Sequence, residues 1–371
     1  MVGAARRSAS SCPRDGTGVG AVVPAVGQWG RVIALVVVGT PALLVVALLG
    51  LVFGTADIAW QDALGYLWAD VTGGVVSADH AADYRIVVDS RLPRVLTGAL
   101  VGAGLGMVGL VVQAMVRNAL ADPYVLGISS GASVGATAVV LFGVFAGVGI
   151  YALPTAAFLG ALIATIIVFA VARSAGGGLT PLRLVLTGTA LGYGFSALTT
   201  VLVFLAPMGD AARSVMFWLL GSLAATSWRS VWLVAVVVGF GLVVIVALAR
   251  HLNALAMGDE VAASLGLRAS RFRLMLFVVA ALMTGVMVSV CGAIGFVGLV
   301  VPHIARLLVG ADHRRLVVVT PVIGAVFLVA ADLLARTVVP PQELPLGAIT
   351  AAVGVPAFLV LMRRNERAQS L

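Results

Sequence analysis

Val32–Gly54 reads VIALVVVGTPALLVVALLGLVFG, 23 residues without a single charge. A hydrocarbon core about 30 Å thick is crossed by roughly 20 apolar residues in helical form, because only a helix satisfies its own backbone polar groups there. The run is longer than the roughly 7–15 residues of a signal-peptide core and reads as a retained span. Stretches of the same kind recur along the chain. We read ten, at 32–54, 93–116, 124–142, 151–172, 182–205, 230–249, 273–291, 294–309, 316–336 and 346–362. No charge marks the division at 291–294, and only the excess length of 273–309 forces a break there.

Composition agrees. Of 371 residues, 61% are hydrophobic and 10% charged, against roughly a quarter charged in a soluble globular protein. The expected fold is an all-α integral membrane protein of about ten transmembrane helices. Residues 1–30, rich in Ser, Gly, Arg and Ala, read as a disordered N-terminal tail, 31–363 as one membrane domain, and 364–371 as a short C-terminal tail. Cys12 and Cys291 are too far apart in the chain for a disulfide framework or a metal site.

Every one of the 23 basic residues is arginine. They are scattered singly between apolar runs and make no patch or stripe, which argues against nucleic acid as a partner. With both termini cytoplasmic, 17 of them fall in inner segments and 6 in outer ones. That is the bias expected of a multi-pass protein, and an odd number of spans would break it.

Two segments outside the spans read as structured. In 55–90, Ile58–Trp68 (IAWQDALGYLW) repeats apolar residues at three- and four-residue spacing, which predicts an interfacial helix with tryptophan anchors. In the inner loop 251–272, Asp259 and Glu260 suit a helix start and Gly266 its C-terminal cap. We read a helix–turn–helix pressed against a cytoplasmic partner. An internal repeat links Gly104–Arg117 (GLGMVGLVVQAMVR) to Ala293–Arg306 (AIGFVGLVVPHIAR), identical at seven of fourteen positions. Glycines four apart, as in Gly98/Gly102/Gly106, Gly127/Gly131/Gly135 and Gly188/Gly192, read as close helix packing.

The absences matter as much. A P-loop uses a lysine to reach the nucleotide phosphates, and this chain has none. No catalytic residues, metal ligands or cofactor site stand out, and the four histidines are dispersed. The spans hold almost no carboxylates of the kind that relay protons in secondary transporters. Asp332 and Arg336, four apart, could pair near an outer end. The energy for transport would then come from a partner. A self-sufficient secondary transporter or channel is the alternative.

Specific motifs carry the reading further. Arg91–Arg94 (RLPR), Gln113, Arg117–Pro123 (RNALADP), Leu126–Ala132 (LGISSGA), Phe217–Ser222 (FWLLGS), Met257–Glu260 (MGDE) with Leu265-Gly266, Gly292–His313 (GAIGFVGLVVPHIARLLVGADH) and Glu343–Gly347 (ELPLG) occur in this order. Together they closely resemble the permease family of iron–siderophore, haem and cobalamin ABC importers over about residues 30–363. One departure is Ala119, where the family usually has proline.

The resemblance implies the permease fold of a type II ABC importer in a bacterial inner membrane. Its implied partners are a second permease subunit, identical or a close paralogue, two cytoplasmic ATP-binding subunits, and an extracytoplasmic binding protein. The implied cargo is a ferric siderophore first, then haem or cobalamin. Gly258, Asp259, Glu260, Leu265 and Gly266 would couple to the ATPase, and Asn118 and Leu120 would form the cytoplasmic gate. Arg91 and Arg336, at outer span ends against the prevailing bias, would receive carboxylates of the binding protein.

Overall fold

The computed structural model describes residues 25–54, 56, 58–174, 179–206 and 209–369. Most of the predicted N-terminal tail therefore lies outside the described residues. Fifteen α-helices follow along the described chain: α1 (Ala25–Val52), α2 (Trp60–Thr72), α3 (Ala81–Arg85), α4 (Leu92–Val116), α5 (Ile128–Phe142), α6 (Ala152–Ser174), α7 (Pro181–Phe204), α8 (Gly209–Leu219), α9 (Trp228–Ala247), α10 (Ala249–Ala256), α11 (Asp259–Ser264), α12 (Ala269–Cys291), α13 (Val297–Val309), α14 (His313–Thr337) and α15 (Leu346–Gln369). Seven helical stretches are long and apolar enough to cross a membrane, and α5, α13 and the first part of α15 are shorter apolar helices. They occupy the ten positions read from the sequence.

α1 begins at Ala25, within the stretch read as the N-terminal tail, and α15 runs on to Gln369.

α4 is the axis of the bundle, and Gly104–Val116 is buried without interruption. Its glycines set the packing distance. A Cβ on Gly102 would lie 2.2 Å from the Gly324 carbonyl oxygen, and one on Gly109 would lie 1.9 Å from that of Gly298. Only bare backbones can cross this closely. Gly109 and Gly298 also hold the same position in the two copies of the internal repeat, so the copies cross at equivalent residues. They differ in form: 104–116 is continuous helix, whereas the second copy is helical only from Val297.

α1 lies outermost, against α14. The helix expected near residues 58–68 is α2, with Trp60 and Trp68 exposed and Ala63 and Tyr66 turned inward. The C-termini of α1 and α14 and the start of α4 meet at this α2 end of the bundle. α10 and α11 lie at the other, the α11 end, beside the end of α4 and the start of α12.

Candidate functional site

At the α11 end, Gly258 turns the chain with φ +122° and α11 follows at once. The helix closes as the sequence predicts. Gly266, with φ +79°, donates its N–H to Ala263 O at 2.9 Å and Leu267 donates to Ala262 O at 2.9 Å, a Schellman closure. Met257, Val261 and Leu265, spaced four apart, are exposed along one side of this turn, and Glu260 is exposed among them.

Asp259 faces inward to an arginine that sequence reasoning missed. Arg273 Nη1 donates to its Oδ2 at 2.9 Å, and Nη2 donates to Oδ1. The same guanidinium donates to Met115 O on α4 at 3.2 Å and to Leu179 O before α7 at 3.3 Å. Arg273 is 1% exposed. Its hydrogen bond holds the Asp259 carboxyl below the usual carboxylate range, with burial pulling the other way and the charges of Arg273 and Arg117 adding to the lowering. Arg273 therefore ties α11, the end of α4 and the α6–α7 connection to α12. A signal was present: Arg273, Leu276, Phe277 and Ala280 form one buried stripe on α12, while Arg268 and Arg271 lie off it and are exposed. Asn253 adds a second tie, donating to Asp312 Oδ1 at 2.7 Å and accepting the His313 N–H at 2.9 Å.

Beyond Met115, α4 ends on Arg117 in the left-handed region, φ +54°. Asn118 Oδ1 accepts the Leu120 N–H at 2.9 Å, and Ala121 N–H returns to Asn118 O at 3.2 Å. Asn118 thus makes a tight turn that exposes Leu120. The turn leads into Asp122 and Tyr124, which meet the break between α12 and α13.

That break spans 292–296, with Gly292 and Phe296 at φ +70° and +67°. Non-helical backbone at membrane depth needs partners from the protein itself, and the neighbours supply them. Tyr124 Oη donates to Ile294 O at 2.8 Å and accepts the Ile294 N–H at 2.8 Å. Ser222 N–H donates to Cys291 O at 2.9 Å. Leu346 and Gly347 donate to Gly221 O and Leu220 O at 3.0 and 2.9 Å, fixing α15 to the same junction. A Cβ on Gly292 would lie 2.3 Å from Trp218 O, so only glycine fits there. Asp122 accepts the N–H groups of Tyr124 and Phe296, yet burial outweighs both and raises its carboxyl to about 6.

At the α2 end, the two arginines expected to face a partner are turned inward. Arg91 and Arg336 are each 5% exposed. Arg91 donates to the carbonyls of Leu51 and Val52 at 2.6 Å and of Ala56 at 2.5 Å, and Arg336 donates to Gly50 O at 2.7 Å. They serve the last carbonyls of α1, which have no partner within the helix and carry the negative end of its dipole. Asp332 pairs chiefly with Arg94, at 2.9 Å, while Arg336 Nε stands 3.6 Å away. Arg94 also holds Glu343 at 2.8 Å. Arg94 and Glu343 lie in two of the quoted motifs, but their pairing across 249 residues left no local trace.

A family model for the FecCD transport family matches residues 42–364. The chain belongs to that family. It is 37% identical over 340 residues, 91% of this chain and 96% of the other, to the uncharacterised ABC transporter permease protein YvrB of Bacillus subtilis (strain 168). It is 36% identical to the iron(3+)-hydroxamate import system permease protein FhuB of the same organism, over 91% of this chain and 85% of that one. The cobalamin import system permease protein BtuC of Halobacterium salinarum is 44% identical over 76% of this chain and 74% of its own length. Among solved structures, one described as a metal-chelate type ABC transporter in an inward-facing conformation superposes with a TM-score of 0.76. It is 29% identical, over 91% of this chain and 99% of that one. The long buried α4, the break at 292–296 and the ELPLG turn thus stand in a membrane transport protein of this family.

Proposed function

We propose that this chain is the permease subunit of an ATP-driven importer of a metal chelate, with a ferric siderophore as first cargo and cobalamin next. The observation that carries this is the superposition on a metal-chelate type ABC transporter over nearly the whole of both chains. The α11 end supports it. An exposed apolar row on a short helix, anchored from behind by a buried arginine, suits a surface pressed on by another protein.

In this reading the α11 end is cytoplasmic, consistent with the arginine bias, and two ATP-binding subunits dock there against a pair of permease subunits. Gly258, Asp259, Glu260, Leu265 and Gly266 form the docking turn. Movement of α11 reaches Arg273, then the carbonyl of Met115, and so the turn at Asn118 and Leu120, which closes the path at its inner end. An extracytoplasmic binding protein delivers the cargo at the α2 end. Arg91 and Arg336 would have to leave their α1 carbonyls to meet its carboxylates, so docking through them is a switched contact.

The test is assembly. Glu260→Arg or Gly266→Leu should weaken association of the ATP-binding subunit and uncouple its hydrolysis from uptake, with the chain still folded in the membrane. Normal assembly and uptake in both variants would remove the α11 turn from the mechanism.

A further inference from the structure

Gln28 and Arg31 on α1 and Arg306–Gly310 at the end of α13 line a pocket of about 190 Å³. Arg306 is one of the lining residues, and its Nη1 is buried with no hydrogen-bond partner among the described residues. Neither Arg31 nor Arg306 forms an ion pair among them. A buried guanidinium nitrogen without an acceptor is costly, so the pocket is short of an anion. Two of the carbonyls at the end of α13 are already occupied: Gly310 N–H donates to Arg306 O at 2.9 Å, and Arg315 Nη1 donates to Val309 O at 2.7 Å. Arg315 itself faces Asp312 at 3.5 Å, so its charge is compensated.

Farther along α1, an apolar groove of about 420 Å³ opens between α1 and α14, lined by Leu35, Gly39 and Ala42 on one side and Val319, Ile323 and Phe327 on the other. Gln28, Arg31, Leu35, Gly39 and Ala42 are spaced three and four apart, so pocket and groove lie on one face of α1. From Arg31 to Ala42 the helix rises roughly 16 Å, about half the ~30 Å hydrocarbon core. That is the depth of one leaflet. α1 is also the helix most open to lipid, with Ile33, Val37, Leu44 and Val45 exposed on its other sides.

A cationic pocket and an apolar groove on the same face of α1, together spanning one leaflet, match a phospholipid in length and in charge. We infer that this is a binding site for an anionic phospholipid, with the phosphate between Arg31 and Arg306 and one acyl chain in the α1–α14 groove. The site depends on the chain lying in a membrane and not on its cargo or on an ATPase.

Native mass spectrometry of the full chain, delipidated in detergent and titrated with phosphatidylglycerol or zwitterionic phosphatidylcholine, tests it. The wild type should retain phosphatidylglycerol preferentially. Arg31→Ala should weaken that retention about fivefold, the effect of one basic residue at an anionic lipid surface. Arg31 is exposed, so this variant keeps the fold. Ala42→Phe, which fills the groove with both arginines intact, should also lower retention. Equal retention of the two lipids, or an Arg31→Ala chain that binds like wild type, overturns the site. Displacement of the lipid by inorganic phosphate would make it a free-anion pocket, and a detergent-resistant dimer lost in Ala42→Phe would make the groove a contact between copies. Either result also overturns the lipid assignment.

Discussion

Arg273 on α12 grips the Asp259 carboxylate of α11 with both terminal nitrogens while its Nε reaches the Met115 carbonyl of α4 at 3.2 Å. One buried side chain thus touches both the exposed turn at the α11 end and the helix that leads to the Asn118 turn.

The two partners are not equivalent. Asp259→Ala strands the charge of Arg273 in the interior, whereas Arg273→Met removes it and lets Asp259, whose side chain is 43% exposed, return to water. Breaking a fully buried pair from one side costs about 3–5 kcal/mol, and solvent at Asp259 brings the cost below that. Thermal unfolding of the purified chain should therefore show Asp259→Ala as the less stable variant. The reverse order would contradict the anchoring role of Arg273.

The same pair sets a pH dependence. The Asp259 carboxyl titrates below its ordinary 3.8 in the folded chain. A depressed carboxylate contributes stability that is present above the unfolded value and lost as pH falls through the folded one. Hydrogen exchange of the α11 amides, corrected for intrinsic rates, should be level from neutral pH down to about 4 and rise below it. In Arg273→Met the exchange should already be faster at neutral pH and the rise below about 4 should flatten, because most of the depression of Asp259 comes from Arg273. A profile identical in the two chains would show that Arg273 does not hold α11.

Tyr124→Phe should cost more than a surface tyrosine. It leaves the Ile294 N–H and C=O of the 292–296 break without the hydroxyl that serves both. Each buried backbone group left unpaired costs about 1–3 kcal/mol, so a loss of about 2–6 kcal/mol is expected. Tyr193→Phe, at a tyrosine that is 75% exposed, is the control. Equal thermal midpoints for the two variants would mean that the break is held by its other contacts alone.

Much of this was legible in the sequence, and the reason is physical. Apolar run length is set by membrane thickness, so the spans, and even the chargeless break after Cys291, follow from hydropathy. The α11 helix follows from local chemistry, with acids at its start and Gly266 at its end. The pairings that build the site are of another kind. Arg94 and Asp332 are 238 residues apart, and Tyr124 and Ile294 are 170 apart. Such partners are chosen by helix packing, which no local pattern encodes. Arg91 and Arg336 show the opposite failure. Their position at span ends read as exposure, but the open carbonyls of α1 drew both side chains inward.

In the importer proposed above, uptake is driven by ATP through a separate subunit. The direct measurement is accumulation of a labelled ferric siderophore or cobalamin in proteoliposomes holding this chain, its ATP-binding subunit and its binding protein, with ATP supplied on the side of the ATP-binding subunit. The expected result is uptake that requires ATP, stops when the ATP-binding subunit is omitted, and is strongly reduced in the Asp259→Ala chain. Uptake by this chain alone, driven by a proton or sodium gradient without ATP, would contradict it.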